Sequence, residues 1–255
     1  MNRSRKFHFI QWGIASMIAV FLSGSVAAQG SPLNKDSVAI YLSFDDGPIL
    51  ASRYLLSFVQ TDSIPVNVML VGRLVFLTTA GKKMLLAYRN NPLVEINNHS
   101  FSHARKKYKS FYSHPEKVIA DILLNEDTLQ LKNKILRFPG RNVWRVNGRK
   151  RDDLADAAKA ADSLVKRGFR IFGWDLEWRY DTAKRSFLTA YQMFSSIIYI
   201  AQHKKSFIPE HIVILCHDQM LEDKQARIEL GLFIKKVKLI DNWHFTKLQN
   251  YPVQE

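Results

Sequence analysis

Two adjacent carboxylates, Asp45 and Asp46, follow the apolar run Val38–Leu42 in the stretch YLSFDDGP, and Gly47-Pro48 comes directly after them. Such a pair repels itself when both groups are ionised, so a metal, a basic neighbour or a solvated turn has to offset it. Asp, Gly and Pro all favour turns, and the octamer alone reads equally well as one. Further on, NNHSFSH places His99 and His103 four residues apart. On a helical turn that spacing points both imidazoles the same way and lets them share one metal. A carboxylate from Asp45 or Asp46 would complete a three-ligand site with an open position, the arrangement of a hydrolytic zinc centre. The other aspartate then stands beside a water whose pKa the metal lowers towards about 7, and it can take the proton. His217, in LCHDQ, lies far along the chain. It reads as a general acid arriving from the opposite side of a ring of strand ends, with a fourth ligand or a core histidine as the alternatives.

Groups so distant in sequence need a frame that delivers them to one place. Short β-rich runs are expected at 38–44, 66–71, 93–96, 135–138, 169–174, 212–216 and 243–247. Helical stretches alternate with them at 51–60, 81–89, 115–131, 152–166, 188–202 and 224–240. Strand–helix alternation predicts parallel βαβ units, as a doubly wound sheet or a (β/α) barrel with fewer than eight units. In both, reactive groups gather at the C-terminal ends of the strands. Five of the seven expected ends carry such groups: Asp45-Asp46, His99 with His103, Arg137 with Pro139-Gly140, Asp175 with Glu177, and His217-Asp218.

The chain has 255 residues, 47% of them apolar, which suffices for one sizeable core and argues against disorder. The single cysteine, Cys216, excludes an intramolecular disulfide framework and reads as a small core residue in IVILC. A formal charge of +14 fits nucleic acid, a membrane surface or an anionic polymer as neighbour, or simply a solvated basic face. No nucleic-acid-binding motif accompanies it. At the start, Arg3, Arg5 and Lys6 precede an apolar segment and then small residues up to Ala28. This order predicts a secretory signal over 1–28, with no stable membrane span once it is cleaved, and a mature domain over 29–255 in the periplasm or medium.

The ordered set SFDDGP, HSFSH, RFPG, WDLEW and LCHD resembles the five motifs of the NodB-homology polysaccharide deacetylases, carbohydrate esterase family four. The likeness runs over roughly 38–220, and VNVMLVG resembles that family's second strand. The resemblance implies a distorted (β/α) barrel with about seven units in a single domain. It also implies a divalent metal, usually zinc with other transition metals possible, and an acetylated polysaccharide or oligosaccharide as substrate. Carried over residue by residue, Asp45 matches the base, Asp46, His99 and His103 the metal ligands, and His217 the acid. Arg137 matches the motif-three arginine, and Leu215 a residue lining the acetyl pocket. Gly140 stands where many members have an aromatic residue whose backbone N–H helps hold the oxyanion. Trp144 is the expected substitute for the lost aromatic wall, and Trp178 a further substrate contact. In motif four the usual Asp-Trp is replaced by Glu177-Trp178 with Asp175 nearby, so either carboxylate can orient His217. The expected reaction is removal of N- or O-linked acetyl groups from an envelope or extracellular glycan. The alternatives are an amide or imide hydrolase on the same scaffold, or a non-catalytic glycan-binding envelope protein.

Overall fold

The computed structural model describes residues 37–181, 183–184 and 186–253. The strands, in chain order, are β1 (Val38–Gly47), β2 (Val66–Leu70), β3 (Val94–Asn98), β4 (Ile135–Leu136), β5 (Trp144–Val146), β6 (Arg149–Arg151), β7 (Arg170–Ile171), β8 (Leu176–Glu177), β9 (Tyr180–Asp181), β10 (Ser186–Phe187), β11 (His211–His217) and β12 (Trp243–Phe245). The α-helices are α1 (Arg53–Asp62), α2 (Gly72–Leu77), α3 (Thr79–Arg89), α4 (Tyr108–Tyr112), α5 (Pro115–Thr128), α6 (Ala158–Val165), α7 (Ala190–Gln202) and α8 (Lys224–Lys238). The predicted signal segment, 1–28, lies outside the described residues. Among those described, no helix is long and apolar enough to cross a membrane.

Alternation along β1 sorts its side chains between two cores. Val38, Ile40, Leu42 and Phe44 join the layer under the helices, while Ala39 and Tyr41 face the inside of the curl, the side that Ser43 and Asp45 continue. β11 repeats the pattern, with Ile212, Ile214 and Cys216 outward and Val213 inward. Cys216 is buried there as a small core residue. Both faces of these strands are covered, and for this reason they read as nearly continuous apolar runs. Each fully buried Val, Leu or Ile contributes about 1.5–3 kcal/mol to holding them.

The main sheet runs β6-β5-β7-β4-β3-β2-β1-β11-β8, with β12 paired to the first residues of β1. It is parallel except at β5, which pairs antiparallel with both β6 and β7, and it curls into a half-barrel forming a single domain. The predicted fifth strand, 169–174, is a strand only at β7, and a further short strand, β8, follows it. β7 pairs with β4, whereas β8 pairs with β11 at the other end of the sheet. The chain between them crosses the open side of the curl, and its backbone is held there by side chains. Arg137 donates from Nε to the Phe172 carbonyl at 3.3 Å and from Nη2 to that of Gly173 at 2.9 Å. Asn142 accepts from the Trp174 N–H and donates to its carbonyl. The β5–β6 hairpin, α2 and α4 were not predicted, and α6 begins at Ala158 rather than near 152. Residues 152–157 instead carry charged groups that reach back to Arg141, Asn142 and Arg145.

Candidate active site

Asp45 faces inward at the end of β1, and its Oδ1 accepts from Arg137 Nη1 at 2.8 Å. Arg137 is fully buried, and the same nitrogen also donates to the Ser43 hydroxyl. Asp46 leaves the strand's alternation by taking φ +67, a left-handed conformation that Asp tolerates better than most residues. That turn aims its carboxylate at the histidines, with Oδ1 2.8 Å from His103 Nε2 and 3.3 Å from His99 Nε2. Burial opposes ionisation of Asp46, but the two imidazoles outweigh it and hold the carboxyl far below the usual range. Directly after it, Gly47 leaves no room for a side chain, because a Cβ there would sit 2.4 Å from Asp218 Oδ2. Asp218 is itself buried, accepts from the Ser52 hydroxyl, and is pushed up to about 7 by burial.

His99 follows β3, and its Nδ1 lies 2.9 Å from the Arg137 carbonyl. That bond places the proton on Nδ1 and leaves the Nε2 lone pair directed at Asp46. Burial disfavours a charge on His99, yet the Asp45 and Asp46 carboxylates more than offset this and raise its pKa. The two imidazoles do meet, with ring centroids 5.0 Å apart, but not through the predicted helical turn. Ser100, His103, Ala104, Arg105 and Lys106 all have positive φ. This left-handed path is fastened by the His103 N–H on Ser100 Oγ, the Ser102 N–H on Asp121 Oδ2, and burial of Ala104.

The ligand atoms of Asp46, His99 and His103 all lie within 4.8 Å of one another. Asp46 Oδ1 is buried and receives no hydrogen bond, although two ring nitrogens face it. A buried acceptor without a donor is costly unless a cation satisfies it. An N₂O donor set of two imidazoles and a carboxylate suits a divalent transition metal, so these residues fit the ion expected from the sequence.

His217 does not come from the opposite side of the curl. β11 is the immediate neighbour of β1, and His217 is the register partner of Asp45. Asp45, Asp46, His99, His103, Gly140, Glu177, Leu215 and His217 line one cavity of about 210 Å³ together with Tyr108, Asp153 and Trp174. Leu215 lies two residues before His217 on the same inward face, and Glu177 is its register partner on β8.

Three expected site residues lie elsewhere. Trp144 is fully buried, stacks on Phe207 with centroids 4.4 Å apart, and donates from Nε1 to Asn142. Trp178 is likewise buried and donates to the Leu188 carbonyl while packing on Phe233. Neither can wall the cavity or touch substrate. Asp175 has a fully buried side chain, and its oxygens accept from the backbone N–H groups of Phe207 and Val213. It secures the strand crossing, and Glu177 is the motif-four carboxylate in the cavity.

Tyr108 stands where Trp144 was expected. Gly140 has φ +62, and a Cβ on it would lie 3.2 Å from Tyr108 Cε1, so this ring fills the space of a side chain at 140. The Gly140 N–H has no partner among the described residues and is a free donor at the cavity wall. Nothing in KKYKS marks Tyr108 as a wall residue, since its contact with Gly140 spans 32 positions and exists only in the fold. Asp153 was also missed; its Oδ2 accepts from the Asn142 N–H at the cavity edge.

The half-barrel brings carboxylates and imidazoles together at its C-terminal strand ends. The polysaccharide deacetylase family model matches residues 33–162, and the chain belongs to that family. Among solved structures, the chain is similar to the catalytic domain of a peptidoglycan N-acetylglucosamine deacetylase from Eubacterium rectale. That match has 19% identity and a TM-score of 0.63, and covers 90% of this chain and 97% of the other. It is also similar to a family 4 carbohydrate esterase from Streptomyces lividans in complex with acetate, with 14% identity, TM-score 0.59 and coverage of 86% and 98%. A family 4 acetyl xylan esterase from Clostridium thermocellum, in complex with a cobalt ion, matches at 20% identity, TM-score 0.56 and coverage of 83% and 88%. No curated protein matches the chain.

Proposed function

We propose that this chain is an exported, metal-dependent hydrolase that removes acetyl groups from an envelope or extracellular glycan. The observation that carries the reading is the single small cavity into which Asp45, the Asp46–His99–His103 cluster and His217 all project. Asp46, His99 and His103 would hold zinc or a similar ion, which would supply Lewis acidity for the acetyl carbonyl and for a water. Asp45 is placed to accept the water's proton at Oδ2, because Arg137 occupies its Oδ1 and His99 Nε2 lies 3.6 Å from Oδ2. The free Gly140 N–H donates to the oxygen that becomes negative in the tetrahedral intermediate. His217, the register partner of Asp45, protonates the departing amine or alcohol. Leu215 and Tyr108 enclose the methyl group. The products are acetate and the free amino or hydroxyl group of the sugar.

The test is acetate release from N-acetylglucosamine oligomers, peptidoglycan and acetylated xylan by the purified protein, with zinc and with chelator. Activity is expected to need the metal and to fall at least about 100-fold in Asp45→Asn and in His217→Ala. A preparation that binds one metal per chain and releases acetate from none of these glycans would overturn the proposal.

A further inference from the structure

The mouth of the cavity is flanked by two basic elements. On one side, HARKKYK carries Arg105, Lys106, Lys107 and Lys109, all exposed and without an intervening acid. These lysines and Tyr108 line an open surface hollow of about 690 Å³, and Tyr108 is also a wall of the reaction cavity, so hollow and cavity adjoin. On the other side, the β6 strand exposes Arg149 and Lys150. Arg151 of that strand reaches the carbonyl of Trp174, another wall residue, and this ties the second element to the same mouth.

Neither element is explained by local charge balance. Among the described residues, Arg105, Lys106, Lys107, Lys109, Arg149 and Lys150 have no carboxylate within 4.0 Å. Arginines a few positions away, Arg141 and Arg145, are paired with Asp156, Asp152 and Asp162. The cavity is of the opposite character, with Asp45, Asp46, Asp153 and Glu177 on its walls. A neutral acetyl group suits the interior, and negative charge suits the two rims. The left-handed run from His103 to Lys106 adds to the contrast, since it keeps bulky basic residues where glycine would be conformationally easier.

Resting on the deacetylase reading above, we infer that the substrate is a polyanionic glycan, with its acetylated unit in the cavity and charged units of the same chain on the two basic rims. The anion is a carboxylate or a phosphate, which present the same chemistry to exposed lysines and arginines. Such contacts concentrate the polymer at the mouth and weaken as salt screens them.

The experiment pairs each polyanion with a neutral glycan of the same acetyl linkage. O-acetylated polygalacturonate is compared with acetylated xylan, and an N-acetylglucosamine phosphate polymer with N-acetylglucosamine oligomers. For each pair kcat/KM for acetate release is measured at low and high sodium chloride. The expected result is a preference for the polyanion in at least one pair, lost at high salt. The pair that shows it identifies carboxylate or phosphate. Charge reversal in Lys106→Glu/Lys107→Glu/Lys109→Glu, and separately in Arg149→Glu/Lys150→Glu, should lower that preference about 10-fold. Lys235→Glu on the remote face of α8 is the control and should not change it. Equal kcat/KM within both pairs, unmoved by salt or by either reversal, would overturn the inference. So would loss of binding to phosphatidylglycerol vesicles with unchanged glycan preference, which would assign the rims to a membrane surface. Affinity of Asp45→Asn for unacetylated polygalacturonate and polyphosphate separates the two readings. Absence of acetate from every substrate, with salt-sensitive polyanion binding that the reversals abolish, would remove the deacetylase reading and leave the rims standing.

Discussion

The two sides of the half-barrel are held together differently. On one side β1, β2, β3 and β11 are five to ten residues long, pair in parallel ladders, and are covered by a largely aliphatic core on the helix face and a more aromatic one inside. On the other, β4, β7 and β8 have two residues each, and buried polar side chains replace most of the ladder. Arg137, Asn142 and Asp175 there bond directly to backbone groups of residues 172–174, 207 and 213. The first side resists change because burial is spread over many contacts. The second depends on a few groups whose partners have no alternative once one is removed. The catalytic groups straddle the boundary: Asp45, His99 and His217 belong to the laddered side, while Arg137, which pins Asp45, belongs to the clasped side.

The contrast breaks most readily at Arg137. Removing one partner of a buried ion pair costs about 3–5 kcal/mol, because the remaining charge is left uncompensated. Arg137→Ala should therefore lower the unfolding midpoint in denaturant strongly and abolish turnover, and Arg137→Lys should not restore it, since one ammonium cannot make the four contacts of the guanidinium. A stability loss no larger than that of a single methyl deletion would end the distinction between the two sides.

A smaller effect, with a pH signature, is expected at Asp175. Burial pushes its carboxyl up to about 6 against the lowering by the Val213 and Phe207 N–H groups. Because the folded value is raised above the unfolded one, its stabilising contribution is complete below about pH 4 and is lost as pH rises through about 6. Asp175→Asn cannot ionise and loses that dependence. The difference in melting temperature between wild type and Asp175→Asn should move in the variant's favour from about pH 4 to pH 7. A constant difference across that range would mean the carboxylate is ionised in the folded protein throughout.

The smallest effect belongs to the laddered side. Ile40→Val removes one buried methylene from the centre of β1, where the cost is about 0.5–1.5 kcal/mol, and acetate release should be unaltered. A loss comparable with that of Arg137→Ala would show that β1 is as intolerant as the clasp.

This difference also accounts for what could be read from the chain before it was folded. Alternation of apolar residues is a local signal, so β1, β2, β3 and β11 and the reactive groups at their ends, Asp45, Asp46, His99, His103 and His217, were legible as residues of one strand-end constellation. The five motifs supplied their order and the family, and the glycine at 140. Two-residue strands carry no periodicity, so the splitting of 169–177 between two sheet positions left no trace in sequence. The same holds for the fate of the aromatics. Trp144 and Trp178 have the composition of sugar-stacking residues, and only packing shows them buried while Tyr108 takes the wall.

The sequence by itself determined the types of chemical group this protein possesses and the strands that end in them, because side-chain identity and strand periodicity are local properties. Tertiary structure alone decided that His217 stands beside Asp45, that Glu177 enters the cavity while Asp175 is spent on backbone N–H groups, and that two basic stretches forty positions apart in the chain lie at one mouth. Those outcomes depend on which strand becomes the neighbour of which, and such pairing is set by the packing of the whole domain rather than by any segment of it.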